Sequence, residues 1–202
     1  MKNERRYFCV VLLVCVKLVN TSCPSTCSCS SSTSGFDVNC YNKLFEHIPV
    51  LPNDTYNLNL GYNRIQDIDV KLCKENRLLQ NINIDNNLIQ HITNDTFTDC
   101  HQLSSLYLQY NRITDIHRDT FSNLSQLHTL YLYNNKIQSI ESYSFVNMTN
   151  LYHLYLYNNE ISTIEQSAFM NLPSLQQLYL YNNKIQSIES NTFVNMTNLN
   201  RL

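Results

Sequence analysis

The side chains with the most chemistry in this chain are six histidines, eight cysteines and fourteen tyrosines, and they are distributed in very different ways. His47, His91, His101, His117, His128 and His153 show no H-x-x-x-H spacing and no shared column, so no zinc-hydrolase or histidine-metal chemistry is expected. Glu141, Glu165 and Glu189 recur at a fixed interval, a carboxylate row that either bridges a cation or stands as a solvated flank. No nucleophile, base and orienting group are placed together. The two glycines, Gly35 and Gly61, cannot build a phosphate loop, a dinucleotide fingerprint or a nucleophile elbow, all of which need glycines at set offsets. We therefore expect no enzyme activity, no cofactor and no metal. The tyrosines point elsewhere. Tyr107, Tyr131, Tyr133, Tyr155, Tyr157, Tyr179 and Tyr181 recur in register, with Gln109 and His153 beside them. Stiff amphipathic rings in such a field suit contact with a partner. The alternative is that tyrosine is simply a good strand residue that packs on its neighbours.

These positions are set by a repeat. Asn63, Asn87, Asn111, Asn135, Asn159 and Asn183 follow one another every 24 residues. Isoleucine stands two and five residues after each, Leu or Ile three and five before, and Phe ten after all but the first. The unit reads L-x-x-L-x-L-x-x-N-x-I-x-x-I-x-x-x-x-F-x-x-L, with a seventh copy beginning at Leu199 and Leu202. An unbroken period of this kind predicts a solenoid. The L-x-L alternation is a short strand with one buried face, and successive coils bring these strands side by side in parallel, about 4.8 Å apart. Each recurring Asn sits where the chain leaves the strand, and its amide can pair with backbone groups that the turn leaves open. Of the 29 asparagines in the chain, these six are read as a scaffold ladder taking turns that other folds give to glycine. Residues 130–151 and 178–199 differ at two positions only, Tyr143/Asn191 and Ser144/Thr192, which points to duplication of a pair of coils.

The pattern resembles extracellular leucine-rich repeat proteins of the 24-residue type. Cys23-Pro24, Cys27, Cys29, Cys40, Ile48-Pro49 and Leu51-Pro52 resemble their cysteine-rich N-terminal cap, as in Slit proteins, Toll-like receptors and small proteoglycans. The resemblance implies an α/β-type horseshoe with a concave parallel β-sheet and a mostly irregular convex side. It also implies the pairs Cys23–Cys29 and Cys27–Cys40. A zinc site is the alternative use of such a cluster. Two further cysteines depart from the repeat: Cys73 replaces Phe and Cys100 replaces Leu or Met. Both face inward on adjacent coils, which predicts a Cys73–Cys100 bridge, the alternative being two buried thiols.

Residues 1–22, with Lys2, Arg5 and Arg6 before an apolar run at 7–16, read as a secretory signal, followed by the cap at 23–54 and the repeats at 55–202. Loss of the signal, with Cys9 and Cys15, leaves six cysteines, an even number that suits an oxidising compartment. Asn53, Asn94, Asn123, Asn147 and Asn195 head glycosylation sequons; Asn20 heads a sixth within the signal. The net charge of −2 becomes about −5 in the processed chain (10 basic against 15 acidic groups), which offers no basic footprint for nucleic acid. The expected partner is a protein, with no nucleic acid, and any membrane attachment lying beyond Leu202. The function expected is protein recognition on the concave face, outside the cell or on its outer surface, as part of a receptor or adhesion ectodomain. A proteoglycan-like matrix role or a soluble immune recogniser are the alternatives. Because the repeat is cut mid-strand at Leu202, we expect the chain to be the N-terminal part of a longer protein.

Overall fold

The computed structural model describes residues 22–122 and 124–202, together with the backbone of a hairpin formed by β1 (Tyr7–Val10) and β2 (Val14–Lys17). The signal reading otherwise lies outside the described residues, as do the sequons at Asn20 and Asn123. From Ser22 onward the chain coils as a solenoid. Strands β5 (Thr55–Asn59), β6 (Asn81–Asn83), β7 (Ser105–Tyr107), β9 (Thr129–Tyr131), β11 (His153–Tyr155) and β13 (Gln177–Tyr179) pair in parallel, and a single bridge from Gln177 to Arg201 begins the next coil. The register follows the period: Leu58, Ile82, Leu106, Leu130, Leu154 and Leu178 lie side by side. The segment read as the cap continues the same sheet. β4 (Gly35–Asn39) runs parallel to β5, and β3 (Ser28–Ser32) closes the edge antiparallel to β4.

On the far side of each coil the chain is mostly irregular. It is broken by a three-stranded parallel sheet of dipeptide strands, β8 (Asp115–Ile116), β10 (Ser139–Ile140) and β12 (Thr163–Ile164). The first coil has instead a single helical turn, α1 (Leu72–Glu75). The far side therefore carries more order than expected, with Ser139–Ile140 paired to Asp115–Ile116 on one side and to Thr163–Ile164 on the other.

The core is a stack of layers, one per column. Phe97, Phe121, Phe145, Phe169 and Phe193 form a continuous stack with ring centroids 5.4–5.7 Å apart. At the first coil the column is occupied by Cys73, bonded to Cys100 across a separation of 27 residues. Cys23–Cys29 and Cys27–Cys40 are bonded in the cap.

Every ladder asparagine from Asn87 onward joins two coils. Its Oδ1 accepts from the backbone N–H of an isoleucine in the preceding coil, at 2.9–3.1 Å for Ile65, Ile89, Ile113, Ile137 and Ile161. Its Nδ2 donates both to its own strand and to the preceding coil, as Asn135 does to Leu132 and Leu108 at 3.0 Å. Asn63 makes the corresponding bonds to the cap, accepting from Lys43 and Phe45 and donating to Cys40. The place that needs left-handed backbone, however, is one residue earlier. Tyr62, Asn86, Tyr110, Asn134, Asn158 and Asn182 have φ between 52° and 57°. Asn is the side-chain-bearing residue that best tolerates this region. Nine of the fifteen non-glycine residues with positive φ among those described are asparagine. Left-handed backbone is thus supplied by asparagines just before the ladder and on the far side of the coils, not by the ladder itself.

Candidate recognition surface

On the strands, side chains alternate between the core and the open face of the sheet. Leucines three and five before each ladder Asn are buried, so the residues two and four before it stand outward. In the last four full coils these are almost all tyrosine, and they form two columns. Tyr131, Tyr155 and Tyr179 stack with centroids 4.7 Å apart, and Tyr107 meets Tyr131 edge-on at 5.2 Å. Tyr133, Tyr157 and Tyr181 stack at 4.5 and 4.7 Å. The columns touch each other through Tyr131–Tyr133 and Tyr179–Tyr181, at 5.8 and 6.0 Å. The near-parallel rings follow from the parallel strands, which repeat one rotamer at each step.

The electrostatics of the field are those of crowded neutral phenols. Burial raises the pKa of Tyr131, Tyr133, Tyr155 and Tyr157, and neighbouring tyrosines raise it further, because each phenolate formed would repel the next. Tyr157, flanked by Tyr133 and Tyr181, is pushed up to about 12. His153 lies beside this field, edge-on to Tyr152 at 4.9 Å, and burial lowers its pKa. At neutral pH the surface is therefore an uncharged aromatic sheet with hydroxyl tips. Tyr155 donates to Gln177 Oε1 at 2.7 Å and Arg201 donates to the Tyr179 hydroxyl at 3.4 Å.

Not every expected contact residue is available. Gln109 is only 8% exposed, covered where the tyrosine columns begin, and its Oε1 has no hydrogen-bond partner. Tyr110 takes its place: it is 49% exposed and packs edge-on against Tyr133 at 5.5 Å. Strand alternation alone misses it, because Tyr110 sits at the left-handed turn position beyond the strand. The Tyr62 and Tyr110 recurrence one residue before the ladder was the available signal.

Two of the three glutamates of the row bond back to the preceding coil, and Glu189 is exposed. Glu141 accepts from the Arg118 backbone N–H at 2.8 Å and faces His117 at 2.9 Å, which holds its pKa below the ordinary carboxylate value. Glu165 accepts from the backbone N–H and hydroxyl of Ser142, both at 2.9 Å. Both of these carboxylates bind the turn of the coil before them. Among the described residues no three His, Cys, Asp or Glu side chains are grouped to hold a metal. Of the sequon asparagines, Asn94, Asn147 and Asn195 are exposed and Asn53 is half-buried.

Residues 66–200 match the family model of the BspA type leucine-rich repeat region, in six copies. A human protein described as probable oxidoreductase PXDNL is 39% identical over 85 residues, which is 39% of this chain and 6% of that protein. The fold is similar to TLR13 in its complex with ssRNA13, with a TM-score of 0.68 and 28% identity over 80% of this chain and 24% of that one. It is also similar to an internalin of Listeria monocytogenes, at 0.54 and 33% over 65% and 36% of the two chains. A leucine-rich repeat protein of Leptospira interrogans gives 0.60 and 25% over 71% and 37%. The chain thus spans between 6% and 37% of the proteins it is similar to. The TLR13 structure holds RNA, so net charge alone does not support excluding nucleic acid as a ligand of this fold. With the family model matching about two thirds of its length, and with a 24-residue parallel coil tied by an asparagine ladder, the chain belongs to the leucine-rich repeat family.

Proposed function

We propose that this chain is an extracellular protein-binding module, the N-terminal part of a receptor or adhesion ectodomain, which holds a protein partner on the open face of its sheet. The observation that carries this is the pair of stacked tyrosine columns. Seven rings in two continuous rows give a wide amphipathic surface whose side chains are already ordered by one another, so little rotamer entropy is lost on contact. Buried tyrosines are among the residues that contribute most to interfaces, at about 2 kcal/mol or more each. An extracellular setting is supported by three disulfides and by the sequons. Among the described residues no helix is long and apolar enough to cross a membrane.

The test uses the secreted chain and its Tyr131→Ala/Tyr155→Ala/Tyr179→Ala variant against a panel of purified extracellular domains and a single-stranded RNA. The expected result is a protein that binds the native chain and binds the variant at least a hundredfold more weakly, with the variant still cooperatively folded. A protein ligand held equally by both chains would overturn the assignment of the surface. Tight RNA binding with no protein ligand would overturn the partner class.

A further inference from the structure

The first half of the same sheet face is built for a different ligand. A cavity of about 520 Å³ lies over β3, β4, β5 and β6 and is walled at its far end by Tyr107. That size falls within the roughly 300–1,000 Å³ of small-molecule sites. Its floor carries Asn39, Asn59 and Asn83, which stand in register on three adjacent strands. Each side chain is held the same way. Its Oδ1 accepts the backbone N–H two residues on, from Tyr41 at 3.0 Å, Gly61 at 3.1 Å and Asp85 at 2.9 Å. The oxygens are thereby committed, and among the described residues no acceptor pairs with the three Nδ2 groups of these cavity-lining side chains. Strand spacing sets these donors about 4.8 Å apart.

Beside this row runs a second one of opposite character. Asn81 donates through Nδ2 to Asn57 Oδ1 at 2.6 Å, and Asn57 donates to the Asp37 carboxylate. The relay uses the donors internally, and among the described residues the second Asp37 oxygen and Asn81 Oδ1, on cavity-lining side chains, accept no hydrogen bond. The cavity therefore offers fixed donors on one side, fixed acceptors two residues away and an aromatic ring at its end. No lysine or arginine lines it. An anion would meet Asp37 without a compensating cation. An apolar ligand would strand the amides unpaired. A sugar fits this set, because its neighbouring hydroxyls both donate and accept and its ring has an apolar face for the tyrosine.

From this arrangement we infer a binding site for a neutral pyranose, such as the terminal hexose of a glycan, held by Asn39, Asn59, Asn83 and Asp37 and packed against Tyr107. It shares Tyr107 with the tyrosine columns, whose other six rings lie further along the sheet and do not line the cavity. Saturation-transfer NMR of the full chain tests it with methyl glycosides of mannose, glucose, galactose, fucose and N-acetylglucosamine, and with sialic acid and glucose 6-phosphate as anionic counterparts. At least one neutral glycoside should bind with a low-millimolar Kd and more tightly than either anion. Asn59→Asp and Asn83→Asp keep the turn acceptor and replace the free donor by a carboxylate oxygen, so each should weaken that glycoside tenfold or more while the chain still melts cooperatively. Tyr107→Ala should do the same, and Tyr157→Ala should change nothing. The site is refuted if no neutral glycoside binds, if an anion binds better, or if both Asn→Asp variants bind like the native chain. Equal weakening by Tyr157→Ala would likewise refute it by moving the sugar onto the tyrosine columns.

Discussion

The two halves of the open sheet face share one backbone and differ in almost every outward side chain. Over the first strands the face is Asn57, Asn59, Asn81 and Asn83, with Gly61 and Asp85 beside them; over the last it is tyrosine on tyrosine. The inward columns hardly change across this boundary: Leu58, Ile82, Leu106, Leu130, Leu154 and Leu178 are all buried at one register. The repeat thus separates two tasks by strand parity. Inward residues stack the coils, and outward residues are free to differ from coil to coil, so a recognition surface can change in chemistry along the sheet without disturbing the packing. The interior has its own contrast: a disulfide fastens the first coils where a phenylalanine stack joins the later ones.

That contrast sets the largest expected effects. Phe145, fully buried between Phe121 and Phe169, should cost about 3–5 kcal/mol when replaced by Ala, because the cavity interrupts the stack from both sides. Urea unfolding should show the loss, and hydrogen exchange should place it in the last four coils. Replacing Cys73 and Cys100 together by Ser opens a loop of 27 residues and should cost roughly 3.5 kcal/mol, with exchange rising in the first two coils instead. If both variants loosen the whole chain equally, the two halves are one cooperative unit and the interior contrast fails.

A smaller effect belongs to the first half alone. A Cβ at Gly61 would lie 2.2 Å from Asp85 Oδ1, which is itself buried and unpaired. Gly61→Ala should therefore destabilise by about 1–3 kcal/mol. Gly61→Ala/Asp85→Ala should recover most of this, which a pair of melting curves will show. The smallest effect belongs to the tyrosine half and to alkaline pH. Tyr157 titrates near 12 in the folded protein against an ordinary 10.0, so between these values the folded chain holds a proton that the unfolded chain has lost. Stability is intact below about pH 10 and falls as pH rises towards 12. Tyr157→Phe should flatten that fall, read as melting temperature against pH.

Much of this was legible in the sequence, since a 24-residue period states which side chains share a column. The strands, the buried leucines, the phenylalanine stack and the ladder positions all follow from spacing once one coil is understood. What spacing does not carry is the conformation of single turns. The left-handed residue lies before the ladder asparagine, at Asn86 or Tyr110, and no periodic reading distinguishes it from its neighbour. Gln109 shares a column with Tyr133 yet is buried, so strand parity alone does not give exposure. The Glu141 and Glu165 bonds reach back to the previous coil, and identical residues in a solvated row would give the same sequence. The asparagine floor was visible only as a lack of tyrosine; its chemistry depends on which amide atoms the turns consume.

The separation of scaffold from surface is tested most directly by measuring melting temperature and partner binding side by side for Tyr131→Ala/Tyr155→Ala/Tyr179→Ala and for Phe145→Val. The tyrosine variant should keep a cooperative melt within a few degrees of the native chain and lose binding at least a hundredfold. The phenylalanine variant should melt clearly lower and, below its transition, bind like the native chain. A tyrosine variant that binds normally, or one that loses binding only because it unfolds, would contradict the account.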